Sequence, residues 1–123
     1  MIKTPGPRSL TDAMDPGRAT ALSAVLGRGE TFAAGDPLPP FFHQVYFWET
    51  FGREKLGTDG HPARGLVVPD LGLPKRMWAG GRLRFLSPFL AGMEATKESE
   101  VLSAEMKAGR AGQMGLVTMA HRY

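Results

Sequence analysis

The amino-acid sequence predicts a single α+β domain, and three observations carry that prediction. A capped amphipathic segment begins at Asp15-Pro16. An aromatic run follows Pro39-Pro40. Two later stretches, "WAGGRLRFLSP" and "GQMGLVTMAHRY", read as strands. A length of 123 residues is one domain's worth and can bury a core without metals or cross-links. With 42% hydrophobic and 22% charged residues, the composition is that of a globular fold rather than a disordered one.

Residues 1–14 read as an arm or edge segment ahead of the domain proper at 15–123. Asp15 then suits a helix N-cap and Pro16 the first helical position, while Gly27 stands just past the apolar set Ala21, Leu22, Val25 and Leu26. "GRGETFAAGDPLPP" is a loop. From Phe41 to Phe51 the residues Phe41, Phe42, Val45, Tyr46, Phe47, Trp48 and Phe51 cover most of a helical circumference, so the expectation is a helix enclosed on several sides. It is too short to cross a bilayer and lacks the Lys/Arg face of a surface anchor.

The stretch "GREKLGTDGHPARGLVVPDLGLPKR" is rich in turn formers and reads as a long irregular loop, a kind that usually binds something. Arg82 and Arg84 alternate with Leu83 and Phe85 as in a half-buried strand closed by Pro88. "MEATKESEVLSAEMKAGR" has the composition of a helix, with Gly109 as its stop.

Several function classes fall away. Cysteine is absent, which removes a disulfide framework, a thiol nucleophile and Cys-based zinc, and fits a cytoplasmic protein. No signal-type segment is visible, and no run of about 18 apolar residues suggests a membrane span. The formal charge of +3 is spread along the chain, with Lys75, Arg76, Arg82 and Arg84 its nearest approach to a cluster. That pattern accommodates an anionic small ligand, and neither a nucleic-acid nor a membrane partner is expected. Three separated histidines make no metal motif, and no cofactor is expected.

In order, "GDPLPPFFHQVYFWE", "LGTDGHPARG" and "LPKRMWAGGRLRF" resemble the N-terminal half of MaoC-like acyl-thioester hydratases and dehydratases, the FAS1-like dehydratase domain. The resemblance covers residues from about Gly35 onward. It implies a hot-dog fold, a curved antiparallel sheet wrapped around a central helix. It also implies that residues 93–106 are a long strand, turning near Gly109 to Gly112 into a strand that ends at Tyr123, against their helix propensity. Relatives of this half continue for one more strand, and the complete enzymes carry a second hot-dog half with the catalytic Asp and His.

Hydrating an enoyl thioester takes a base for water, an acid for the α-carbon and donors for the thioester carbonyl. In the catalytic halves an Asp precedes the helix and a His follows five residues later, after an Asn-Pro. Here Asp36 is followed by no Asn and His43 lies seven positions on, so the family's spacing is not met. Asp36 and His43 are the weak catalytic candidates, with a loop carboxylate and a packed histidine as the plainer readings. Asp59, Gly60 and Pro62 around His61 are explained by turn geometry.

Binding candidates come from "KRMWAGG". Gly80 and Gly81 in a strand mark a bulge or a close approach, Trp78 is placed to wall an acyl tunnel, and Lys75 and Arg76 to meet coenzyme A phosphates. The expectation is a non-catalytic, substrate-shaping half of an acyl-CoA or acyl-ACP hydratase, present as a homodimer or as a heterodimer with a catalytic MaoC-like chain. An active hydratase using Asp36 and His43, and a thioester-binding module without catalysis, are the alternatives.

Overall fold

A computed structural model of the chain describes residues 2–123. Its regular elements are β1 (Arg8–Asp12), α1 (Pro16–Val25), 3-10 turns at Phe42–Val45 and Arg53–Lys55, β2 (Ala95–Gly109) and β3 (Gly112–Arg122). The strands form one curved antiparallel sheet in the order β1-β2-β3 and, with α1, give the α+β hot-dog fold.

β2 is the segment whose composition favours a helix. Propensity separates ordinary residues by no more than about 0.7 kcal/mol each, and here the strand ladder outweighs it. Pairing runs from Glu98 opposite Arg122 to Gly109 opposite Gly112, closed by Arg110 and Ala111. Gly112 takes φ 109°, a conformation open to glycine and strained for other residues. Leu102 is an extra residue between the Val101 and Ser103 pairs, a β-bulge. Ahead of it the strand alternates, with Ala95, Lys97 and Ser99 inward of the exposed Thr96 and Glu98.

α1 starts as its sequence demands. The Asp15 carboxylate accepts the Gly17 N–H at 3.0 Å, and Pro16 needs no donor there. Gly27, at φ 71°, closes the helix with its N–H on the Ala24 carbonyl. The buried face differs from the expected one. Ala19 and Ser23 are fully buried, while Val25 and Leu26 are exposed. Side-chain oxygens decide this face: Thr20 Oγ1 accepts the Phe32 N–H at 2.9 Å and Ser23 Oγ accepts that of Glu30 at 2.9 Å, drawing the following chain onto the helix.

Two expected elements do not form. The helix over Phe41–Phe51 is replaced by the single 3-10 turn Phe42–Val45, flanked by Phe41 at φ 72° and Phe47 at φ 60°. Reversing the chain at both ends lets Phe42, His43, Tyr46 and Phe47 all be buried, which one straight helix face would not allow. The strand expected around Arg82–Phe85 has no ladder partner among the described residues and stays irregular. Alternation supplies a face, but a strand also requires a neighbour for its N–H and C=O groups.

Contacts divide the chain into two compact units, one of residues 2–9, 50–80 and 98–122 and the other of residues 10–49, 81–97 and 123. In the first, the irregular stretch anticipated after Gly52 is held by a Leu56–Pro62 bridge, and Leu71 and Leu73 lie over Gly115 of β3, where a Cβ would collide with Leu71 Cδ1. In the second, Met14, Ala19, Leu38, Phe42, Tyr46, Phe47 and Ala91 form the core. Phe42 is 3% exposed and meets Phe32 edge-on at 5.7 Å. Replacing it by alanine is expected to cost about 3–5 kcal/mol in denaturant unfolding, the range for a buried phenylalanine. A cost below about 1 kcal/mol would show that this side chain is not part of the core.

Candidate functional site

His43 lies in the 3-10 turn at 6% exposure, within a cluster of rings. Tyr123 meets it edge-on at 4.8 Å between centroids, Phe89 stacks at 6.1 Å, and Phe41 and Phe85 lie at 6.4 and 6.2 Å. Phe47 extends the cluster, 5.3 Å from Tyr123. Phe41 and Phe47 flank the turn in the left-handed region, the first stacking on the imidazole and the second meeting Phe89 and Tyr123, the rings that contact it.

The aromatic wall governs the chemistry of the imidazole. Burial lowers the His43 pKa, and the positive charge of Lys97 lowers it further. The Lys97 ammonium itself lies 5.5 Å from the centre of the Tyr123 ring. Burial likewise raises the pKa of the Tyr123 phenol. At neutral pH the site therefore presents a neutral imidazole, a neutral phenol and an ammonium.

Asp36, the other catalytic candidate, is engaged in its own loop. Its Oδ2 accepts the Ala33 N–H at 2.8 Å, its N–H donates to the Ala33 carbonyl, and its carbonyl accepts the Ala91 N–H. These bonds shape the turn before Leu38, the role of a loop carboxylate. No bond joins Asp36 to His43 among those the two residues make.

Around His61 the turn reading also holds. Asp59 Oδ1 accepts the His61 N–H at 3.0 Å, and Gly60 sits at φ 79°. The Asp59 carboxyl is held below the usual range, first by that backbone N–H and then by the Arg76 guanidinium at 3.4 Å. Arg76 thus already has a carboxylate beside it. Lys75 is exposed, Trp78 is 83% exposed, and a Cβ on Gly80 would meet nothing within 4 Å. Gly81 lies in the same irregular stretch. Described residues of this chain form neither a wall with Trp78 nor a close approach at Gly80. His121 is opposite Ser99 in the ladder, and Ser99 Oγ and His121 Nδ1 share a hydrogen bond of 2.7 Å that satisfies a buried hydroxyl.

Sequence reasoning missed Tyr123, Phe85, Phe89 and Lys97 as neighbours of His43. The available signal was Lys97, an ammonium at the inward phase of a strand between Ala95 and Ser99.

An antiparallel hot-dog sheet carrying one helix is the fold of a MaoC-like relative of the acyl-thioester dehydratases and hydratases. The chain belongs to the hydroxyacyl-thioester dehydratase type 2 family, whose model matches residues 41–122. Over 89 residues it is 38% identical to mesaconyl-C(4)-CoA hydratase of Chloroflexus aurantiacus, an alignment covering 72% of this chain and 32% of that relative. The chain therefore spans about a third of the relative's length.

The lowered His43 pKa has a testable consequence. Above the ordinary value of 6.5 the imidazole is neutral both folded and unfolded and stability is independent of it. Below 6.5 the unfolded chain takes up the proton first, so stability falls with pH until the folded imidazole also titrates. NMR titration should place the His43 midpoint below the ordinary 6.5, and His43→Gln should flatten the acid slope of stability. A His43 midpoint at or above 6.5 would contradict burial among the rings.

Proposed function

We propose that this chain is the non-catalytic, substrate-shaping half of an acyl-thioester hydratase or dehydratase, with the chemistry supplied by a second MaoC-like chain. One observation carries the reading: Asp36 spends its carboxylate on the Ala33 N–H, and the groups recorded against His43 are rings and an ammonium. Family membership and the likeness to a CoA hydratase support an acyl-CoA or acyl-ACP substrate. A base that meets no orienting carboxylate among the described residues, and with its proton affinity lowered, is poorly equipped to activate water. The purified chain is expected to hydrate crotonyl-CoA no faster than background. Turnover lost in both Asp36→Asn and His43→Ala, with the fold retained, would overturn the reading in favour of an active hydratase.

Association is part of the same proposal. β3 is an edge of the sheet, and its outer N–H and C=O groups invite a further strand. The irregular stretch containing Met77 and Trp78 is almost wholly exposed and apolar at those two positions, as an interface segment would be. The reading places Trp78, Gly80 and Gly81 at the seam with a partner, a second copy when the chain is purified alone. Sedimentation equilibrium should then report a dimer. A 13.3 kDa monomer persisting at high micromolar concentration would remove the seam.

A further inference from the structure

We infer that residues 77–84 become a strand between two copies of the chain, each copy laying this segment along the β3 edge of the other. The inference rests on the association reading above and names the strand that fills that edge. Residues 74–88 are exposed without exception, and among the described residues no main-chain hydrogen bond reaches residues 75–88. Met77, at 90% exposure, and Trp78 beside it leave apolar surface bare that another molecule would cover. Phe85 meets Phe41 at 5.4 Å and ties the end of the segment to its own copy.

The segment and the edge alternate in the same way. Met77, Ala79, Gly81 and Leu83 fall on one face of an extended chain, and Trp78, Gly80, Arg82 and Arg84 on the other. In β3, Val117 and Met119 share a face with their partners Ala104 and Val101, which suits Leu83. Thr118 and Ala120 share the other face with Ser103 and Glu100. On that face Glu98, Glu100 and Glu105 outnumber Arg122 and Lys107, which suits Arg82 and Arg84. Gly80 adds an independent observation. A glycine in an extended stretch marks a close approach by another backbone, yet a Cβ there would meet nothing of its own chain within 4 Å. The approaching backbone then comes from a second molecule. Because every copy carries both the segment and the edge, a two-fold pair of copies satisfies both at once.

The chain has no cysteine, so engineered thiols report the pairing directly. When two single-cysteine proteins are mixed under mild oxidation, Leu83→Cys should link to Val117→Cys or Met119→Cys, and Arg82→Cys to Thr118→Cys or Ala120→Cys. A disulfide requires Cβ atoms about 4 Å apart, so combinations that cross the two faces should link about tenfold less. Arg82 and Thr118 are exposed, which keeps the measurement available if a thiol at Val117 unfolds the protein. Linking without this alternation in a folded dimer would overturn the inference and leave the association reading standing. The Leu83→Cys/Val117→Cys double variant should run as a covalent dimer on a denaturing gel, and a link closed within one chain would likewise overturn the inference. A wild-type monomer in sedimentation equilibrium would instead remove the association reading and this inference with it.

Discussion

The Asp12 carboxylate is the constraint on which the aromatic unit depends. Its Oδ1 accepts the Met14 N–H at 2.8 Å and its Oδ2 accepts the Phe47 N–H at 3.0 Å, and both donors belong to residues in the left-handed region. Each such residue costs on the order of 1–3 kcal/mol. A hydrogen bond to an ionised acceptor contributes about 1.5–3 kcal/mol, enough to hold both in place. Arg18 lies 3.5 Å from the same carboxylate, donates to the Val45 carbonyl and covers the Trp48 ring at 4.4 Å. One short acidic side chain thereby fixes the end of β1, the approach to α1 and the exit from the 3-10 turn.

The ring cluster follows from that fixation. With Phe47 held at φ 60°, its ring reaches Phe89 and Tyr123, and both of these rings contact His43. The Tyr46 hydroxyl donates to the Asp15 carbonyl at 2.6 Å, so the same turn is also pinned at the start of the helix. A histidine in this setting serves packing and polarity together. It is apolar enough to lie among phenylalanines, yet it keeps ring nitrogens that an alkyl side chain would lack.

Much of this architecture was legible in the sequence, for reasons that differ from element to element. Asp15-Pro16 and Gly27 announce α1 through local backbone chemistry, and local signals survive folding. β3 reads as a strand from its own residues, whereas β2 was legible only through the family pattern, because its residues taken alone favour a helix and the ladder that reverses them is non-local. The aromatic run misled. Counting apolar residues around a circumference finds burial, and Phe42, His43, Tyr46 and Phe47 are buried, but it does not reveal a carboxylate 35 positions upstream that captures Phe47 and breaks the helix. The spacing of Asp36 and His43 differs from that of the family's catalytic pair, and the fold engages the first in its own loop and sets the second among rings. Lys97 and Tyr123 were passed over because their proximity to His43 is a product of tertiary structure.

The face that α1 buries has a consequence for how the fold responds to temperature. Ala19 and Ser23 bring little apolar surface, and the Thr20 and Ser23 hydroxyls attach the following chain through hydrogen bonds. The heat-capacity change of undocking scales with the apolar area exposed, so this helix contributes little to the curvature of the stability profile. Cooling, which weakens apolar burial elsewhere in the core, leaves its attachment comparatively intact. The helix is thus held partly by Ala19 in the core and partly by hydrogen bonds, so its hold varies less with temperature than that of the aromatic rings.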